Sequence, residues 1–274
     1  MPKLIVSLTT IPSRVRYFEE FSRSLLRQTV SPDRIELNLP HEYKRRKFTD
    51  LELAQVPSCF DVHRCDDVGP ATKLLPTLKR YWGSDAVIIY CDDDRVYSED
   101  WIERFLRYAE ENPSCAIADE CLPIESVRVS RLGATRDWKY RLKRAASLGV
   151  YRPYHFDGTK FPDIAEGFGG VLVRPDFFNE RVFDVPDQCW PVDDVWLSAN
   201  IRSSGHEIVR YPRNLQQRSY PLKIEGEDVG RLGDSLTQTT VDGQGRASLN
   251  FHAVKYCMEN LGVWPEYSKG FAQL

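Results

Sequence analysis

The sequence has no long apolar run and little net charge, and each shortage excludes a class of protein. The first apolar stretch, Leu4–Val6, is too short for a signal-peptide core, and no later stretch approaches membrane-spanning length. The 37 basic and 40 acidic residues leave a formal charge of −3, which creates no overall field for polyanions. We therefore expect neither a membrane-spanning protein nor one that binds nucleic acid.

The sequence also lacks paired cysteine motifs. Its seven cysteines are odd in number and scattered, without a C-x-x-C pair. Cys91 and Cys257 lie in apolar stretches, where cysteine behaves as a small buried hydrophobe. This pattern predicts free thiols in a reducing compartment, and thus a cytoplasmic protein.

What the chain does have is enough apolar material for a substantial core. It contains 274 residues, of which 42% are hydrophobic and 28% are charged, as in ordinary globular enzymes. It shows no internal repeat and no linker composition. The favoured organisation is one compact domain.

Short strands and helices alternate along the first part of the chain. The expected strands are Leu4–Leu8, Ile35–Leu39, Phe60–Arg64, Ala86–Cys91 and Cys115–Ala118. The expected helices run from Phe18 to about Gln28, through Leu74–Leu78, and from an N-cap at Ser98 to Pro113. The strand at 86–91 is apolar on both faces, which is typical of a central parallel strand. The alternation predicts an α/β fold with a mostly parallel sheet, whose ligands bind at the carboxyl ends of the strands.

The second part is less regular. Residues 123–163 are basic and rich in aromatic side chains. A glycine-led strand is then expected at Gly167–Val173, a helix from the acidic pair Asp193-Asp194 to Ser204, and a last helix stopped by Gly262. Between these helices, 221–245 has the composition of an excursion or loop.

Three aspartates follow the most apolar strand. If the backbone stays extended, Asp92 and Asp94 share a face and Asp93 points away. Two carboxylates from one short segment suit Mg²⁺ or Mn²⁺, which leave coordination positions open for phosphate oxygens. The alternative interpretation is a polar turn followed by a helix-capping acid.

This D-x-D, at the end of a fourth strand, resembles the donor site of GT-A fold glycosyltransferases. Ser24–Thr29, followed by a proline and a strand from Ile35, looks like the early pattern of glycosyltransferase family 2. Asp193–Leu197 is similar to the late acidic pair of that family, and Gly167–Gly170 resembles the glycine-rich segment before it. These features occur in family order and cover roughly 4–210.

The resemblance implies a single GT-A catalytic domain over 1–274, with a mostly parallel central sheet flanked by helices. About 1–120 would form the nucleotide-sugar half and about 121–274 the acceptor half. The acceptor half would include the basic insertion 123–163 and a C-terminal extension, 211–274.

The resemblance also implies roles for individual residues. Nucleotide-sugar binding would fall to Thr9, Thr10, Arg14, Asp67, Lys73, Asp92 and Asp93. Asp67 would hold the uracil or ribose, or is only a turn residue. Lys73 would receive phosphate near a helix start, or is an ordinary solvated lysine.

Asp92 and Asp94 would hold the divalent metal, Mn²⁺ or Mg²⁺. Asp194 would be the catalytic base, with Asp193 as the second candidate, and either acid can instead cap the helix. The helix N-terminus would keep Asp194 ionised. His252 is a further candidate metal ligand, or an ordinary packed histidine.

The implied function is that of a metal-dependent, inverting glycosyltransferase in polysaccharide biosynthesis. The donor would be a nucleoside-diphosphate sugar, with a UDP-sugar favoured, and the acceptor a hydroxyl of a glycan or lipid-linked molecule. The basic, aromatic stretch 128–154 would bind the acceptor, contact the inner face of a membrane peripherally, or form a solvated helix face. The rival hypothesis is a non-catalytic carbohydrate- or nucleotide-binding protein on a degenerate GT-A fold.

Overall fold

A computed structural model describes residues 2–44, 56–131, 162–211, 219–224, 226–231 and 243–272, together with Leu142 and Ala146. The strands are β1 (Leu4–Thr9), β2 (Arg34–Pro40), β3 (Asp61–Cys65), β4 (Val87–Tyr90), β5 (Arg95–Val96), β6 (Cys115–Leu122), β7 (Ile164–Val173), β8 (Glu207–Arg210), β9 (Tyr220–Pro221), β10 (Lys223–Ile224) and β11 (Glu227–Asp228). The α-helices are α1 (Phe18–Leu26), α2 (Leu75–Arg80), α3 (Trp101–Glu111), α4 (Ile124–Arg131), α5 (Asp193–Ser203), α6 (Arg246–Leu261) and α7 (Ser268–Ala272). Short 3₁₀ helices span Pro12–Tyr17, Gly69–Lys73, Pro175–Phe177, Glu180–Phe183, Val229–Arg231 and Pro265–Tyr267.

Seven of these strands form the central sheet, in the order β3-β2-β1-β4-β7-β6-β8. Strand β7 runs antiparallel to both of its neighbours, whereas the other neighbouring pairs are parallel. The prediction of a mostly parallel α/β sheet is therefore confirmed. Because β7 is reversed, its first residues lie at the edge where the parallel strands end.

Helices cover both faces of the sheet, and alternate residues of β4 divide between two apolar clusters. Ile88 and Tyr90 face the cluster that contains residues of α2, α5 and α6. Val87 and Ile89 face the cluster that contains residues of α1 and α3. These four side chains are buried, which confirms β4 as a central strand with two covered faces.

The end of α1 differs from its prediction in a way that explains its sequence. The helix ends at Leu26, two residues before the expected end at Gln28. Gln28 is buried, and its amide donates to the carbonyl oxygens of Ser24 and Ser98 and accepts from the N–H of Ile102. This glutamine therefore joins the end of α1 to the start of α3.

The predicted N-cap at Ser98 is wrong. Asp100 occupies the position before α3, without a capping hydrogen bond from its side chain. The Ser98 hydroxyl instead accepts a hydrogen bond of 3.1 Å from Nη1 of the buried Arg104. A buried guanidinium requires hydrogen-bond acceptors, and this requirement takes the serine away from the helix end.

Two predictions fall on parts of the chain that the structure describes only in part. Most of the basic stretch 128–154 lies outside the described residues, and so does most of the insertion 123–163. Among the residues that are described, no helix has both the length and the apolar character needed to cross a bilayer.

Candidate active site

The three aspartates lie beyond the end of β4, in a turn, and not on its extended backbone. Asp93 accepts hydrogen bonds from Thr10 Oγ1 at 2.5 Å and Arg14 Nη1 at 2.6 Å. Asp94 Oδ2 lies 3.3 Å from the same Arg14 nitrogen. Asp92, by contrast, pairs with Lys73. The expectation that Asp92 and Asp94 share a face while Asp93 points away is thus wrong, because strand alternation ends with the strand at Tyr90 and Asp93 and Asp94 share Arg14.

Lys73 is the cation at the centre of the site. It ends the 3₁₀ segment Gly69–Lys73 and is only 4% exposed, so it is not a solvated surface lysine. Its ammonium donates a hydrogen bond to Asp92 and lies 3.1 Å from Asp193 Oδ2. Burial alone would lower the pKa of Lys73, but Asp193, Asp92 and Asp194 together hold it well above its ordinary value. The amine is therefore charged at neutral pH.

Asp193 and Asp194 form the first turn of α5, and neither caps it. The N-cap position belongs to Val192, which has no side chain that can cap. The capping interpretation of these acids is therefore wrong. Asp193 forms an ion pair with Lys73, whereas Asp194 Oδ1 accepts a hydrogen bond of 2.9 Å from the Gly167 N–H.

Asp194 titrates near neutrality. Burial and the neighbouring Asp193 raise its pKa to about 7, against the lowering effect of Lys73 and Arg246. We expected the helix N-terminus to keep Asp194 ionised; with the pKa raised to about 7, the carboxyl is ionised only in part at neutral pH. Its side chain remains 18% exposed, so a hydroxyl can approach it.

The carboxylates after β4 are the candidate ligands for a divalent cation. Burial, Asp92 and Asp93 raise the pKa of Asp94 to about 7, whereas Lys73 lowers the pKa of Asp92 despite its burial. Asp94 is crowded by the other two carboxylates although it lies near Arg14, and a cation would relieve this repulsion. Carboxylate oxygens are the ligands that Mg²⁺ and Mn²⁺ prefer. Among the described residues no group of three or more His, Cys, Asp or Glu side chains is arranged to hold a metal. The remaining ligands would have to come from a bound diphosphate and water.

His252, the further candidate metal ligand, lies on α6. Its side chain is exposed, and its Nδ1 lies 2.9 Å from Gln244 Oε1. It is therefore not the packed histidine that the alternative interpretation expected. Its described hydrogen bond gives no support for a role as a metal ligand.

Thr9 and Asp67 make hydrogen bonds to the backbone of nearby loops and strands. Thr9 Oγ1 donates to the Asn38 carbonyl oxygen at 2.8 Å. Asp67 accepts from the N–H of Lys44 at 2.7 Å and from that of Gly69 at 2.8 Å. The turn interpretation of Asp67 is therefore confirmed, and its role toward a nucleotide stays a prediction.

Two glycines lie where parts of the site approach each other closely. A Cβ atom on Gly167 would lie 2.8 Å from Lys73 Nζ and 3.3 Å from Asp194 Oδ1. A Cβ atom on Gly230 would lie 2.7 Å from Asp94 Oδ2. The missing side chain at Gly167 therefore leaves room for both Asp194 and Lys73, and that at Gly230 lets the 3₁₀ helix Val229–Arg231 approach Asp94.

Sequence reasoning missed Arg246 and Glu166. Arg246 begins α6, donates to the Pro191 carbonyl oxygen at 2.8 Å, and has Nη2 3.8 Å from Asp194 Oδ2. Burial, Asp194 and Glu120 raise the pKa of Glu166 to about 8. Glu166 directly precedes the glycine-rich segment, which was an available signal. Arg246 lies in the extension outside the recognised pattern, so no motif indicated it.

The fold is similar to that of solved structures of S. aureus TarS. The structure of TarS 1–349 in complex with UDP-GlcNAc matches with a TM-score of 0.50 and 12% identity, over 99% of this chain and 79% of that one. The complex of TarS 1–349 with UDP matches at 0.47 and 11% identity, over 99% and 75%. A longer S. aureus TarS structure matches at 0.49 and 11%, over 96% and 44%. At 12% identity, the match to the UDP-GlcNAc complex shows a likeness of fold alone. That likeness agrees with the mostly parallel GT-A type of sheet.

No protein-family model and no curated protein sequence matches this chain. The predicted membership of glycosyltransferase family 2 therefore rests on the sequence patterns alone.

Proposed function

We propose that this chain is a metal-dependent, inverting glycosyltransferase of the family 2 type. It would move a sugar from a nucleoside-diphosphate donor to a hydroxyl group of an acceptor. The observation that carries this proposal is that Lys73 pairs with Asp92 on one side and with Asp193, the neighbour of Asp194, on the other, at one edge of the sheet. Asp92, Lys73 and Asp94 of the same turn suit a departing diphosphate, and Asp194 suits a base. The likeness to a protein bound to UDP-GlcNAc supports a UDP-sugar as donor.

On the donor side, the proposal assigns Mn²⁺ or Mg²⁺ to Asp92 and Asp94. When bound, the ion would neutralise part of the negative charge that develops on the diphosphate. Lys73 would donate hydrogen bonds to the same oxygens, because its charge is fixed by the surrounding carboxylates. Asp93 would hold Arg14 and Thr10 in place through the contacts it already makes. Thr9 and Asp67 would line the nucleotide pocket.

On the acceptor side, Asp194 would take the proton of the attacking hydroxyl. Its pKa of about 7 leaves much of it ionised at neutral pH, and the hydrogen bond from Gly167 fixes its orientation. Asp193 is the weaker candidate because Lys73 already occupies it. Direct attack from the face opposite the leaving diphosphate gives inversion.

The acceptor would be a glycan or lipid-linked molecule of polysaccharide biosynthesis. The basic stretch 128–154 would bind it, or would contact the inner face of a membrane while the protein stays cytoplasmic. Most of that stretch lies outside the described residues, so this part of the proposal rests on composition.

The test is a panel of nucleotide sugars, each with a mixture of glycan acceptors, with and without Mn²⁺. We expect one donor to release its nucleoside diphosphate in a Mn²⁺-dependent way, and the product's anomeric configuration, read by NMR, to be inverted. Asp94→Asn should abolish the Mn²⁺ response, and Glu103→Gln on the exposed part of α3 serves as a control. Donor binding without turnover for every acceptor would favour the non-catalytic hypothesis.

A further inference from the structure

Tyr90, the last residue of β4, has a buried hydroxyl group with no partner among the residues that the structure describes. Its side chain is 0% exposed, and the hydroxyl makes no hydrogen bond among the described residues. Buried hydroxyls are almost always hydrogen-bonded, because an unmade bond costs the full desolvation of the group. The exception therefore requires an explanation.

The position of Tyr90 supplies one. It lies on the face of β4 that meets α5, the helix that begins with Asp193 and Asp194. The point where a Gly167 Cβ would stand is 3.4 Å from Tyr90 Cε2, 3.3 Å from Asp194 Oδ1 and 2.8 Å from Lys73 Nζ. The ring edge next to the hydroxyl thus meets the candidate base and the buried cation around one glycine.

Tyr97 is a buried tyrosine in the same part of the molecule whose hydroxyl has hydrogen-bond partners. It is 3% exposed, and its hydroxyl lies 3.1 Å from the carbonyl oxygens of both Asp92 and Phe168. Tyr97 therefore joins the turn after β4 to strand β7. Tyr90 has a similar burial but holds no such contact.

We propose that Tyr90 is a positioning residue for Asp194. In the substrate-bound state its hydroxyl donates a hydrogen bond to the Asp194 carboxylate, which now accepts the Gly167 N–H. A carboxylate has room for several donors, and a second donor stops the group from rotating away from the acceptor hydroxyl. This inference rests on the proposed role of Asp194 as base.

The test is Tyr90→Phe, which removes the hydroxyl and keeps the ring. We expect a melting temperature equal to or above that of the wild type, because an unpaired polar group is removed. With the donor and acceptor identified by the nucleotide-sugar panel, kcat should fall at least about tenfold while KM for the donor stays within about twofold. A merely structural tyrosine would change these quantities in the opposite pattern, with stability lost and kcat kept.

Tyr97→Phe is the matched control, and it should lower the melting temperature because the bonds it removes are already made. If Tyr90→Phe lowers the melting temperature as much as Tyr97→Phe, the hydroxyl is already paired and the inference is overturned. That readout needs no activity. If the wild type transfers sugar and Tyr90→Phe transfers it equally fast, the inference fails alone. If the wild type neither binds nor turns over any donor, the proposed function fails instead.

Discussion

Two buried polar clusters lie on this sheet, one under α2 and one at the edge where the parallel strands end. The cluster under α2 is built around Glu36 of β2, which is 1% exposed. The Glu36 carboxylate accepts hydrogen bonds from Arg80, Thr77 and Tyr81. Although burial alone would raise the pKa of Glu36, these donors and the charge of Arg80 hold it below its ordinary value.

The cluster at the strand ends has the same kinds of residue, but its carboxyl groups are less well matched by cations and hydrogen-bond donors. Asp94 and Asp194 have pKa values raised to about 7, and the Tyr90 hydroxyl lacks a partner among the described residues. Satisfied networks stabilise a fold, whereas perturbed pKa values gather where proteins bind charge or move protons. We therefore propose that Glu36 serves the fold and that Asp194 serves the proposed chemistry.

The largest effect is expected from Asp194→Asn, which tests the chemical half of this contrast. The amide keeps the size of the side chain but cannot take a proton, so transfer should fall about 10³-fold. The melting temperature should be unchanged or higher, because a buried carboxyl crowded by Asp193 is removed. Initial rates and thermal melts with the same protein samples check both. Wild-type transfer by this variant would remove Asp194 as the base.

Glu36→Ala is expected to have the next largest effect, on stability. It leaves Arg80 without its buried carboxylate, which should lower the free energy of unfolding by about 3 kcal/mol. The kcat of the folded fraction should remain close to that of the wild type. Urea denaturation measures the loss, and Glu19→Ala, which breaks an exposed pair with Arg23, should cost below about 1 kcal/mol. Equal losses for the two variants would contradict the assignment of Glu36 to the fold.

The sequence predicted only part of this contrast. Features that depend on local sequence pattern were predictable, whereas contacts between distant residues were not. The strand and helix order follows from apolar periodicity, so β4 and its covered faces were predictable. The acidic residues of the site were also predictable, because Asp92, Asp94 and Asp194 stand in recognisable motifs. Long-range pairing was not predictable. Lys73 forms ion pairs with Asp92 and Asp193, and nothing near it in sequence indicates either contact.

The same reasoning explains the other misses. In the sequence Tyr90 is simply the end of an apolar strand, and only its unpaired hydroxyl distinguishes it. Arg246 reaches the site from a helix after all the recognised motifs. Ser98 has the residue type of an N-cap, but the buried Arg104 competes for its hydroxyl. In each case tertiary contact decides the role of the side chain.

A smaller effect is expected from Gly167→Ala, which tests whether close packing at the site is needed. The added Cβ would lie 2.8 Å from Lys73 Nζ and 3.3 Å from Asp194 Oδ1, so these side chains would have to shift, and we expect kcat to fall about tenfold or more. Gly245→Ala is the matched control, because a Cβ there has nothing within 4 Å and its φ of −81° suits any residue. Steady-state kinetics on both variants measure the difference. A Gly167→Ala enzyme as fast as Gly245→Ala would show that the approach of the two side chains does not matter.

The smallest effect is expected in the pH dependence of stability, where the two clusters should act in opposite directions. Glu36 has a lowered pKa in the fold, so its stabilisation is present above its unfolded value of 4.5 and is lost as the pH falls. Asp194 has a raised pKa, so its contribution is full below its unfolded value of 3.8 and is lost as the pH rises through about 7.

The wild type should therefore melt at a higher temperature at about pH 5.5 than at about pH 8. Asp194→Asn should reduce that difference, while Glu36→Gln should leave it and instead flatten the loss of stability below about pH 4.5. If Asp194→Asn melts with the pH profile of the wild type, Asp194 does not titrate near neutrality, and the two clusters differ less than their contacts indicate.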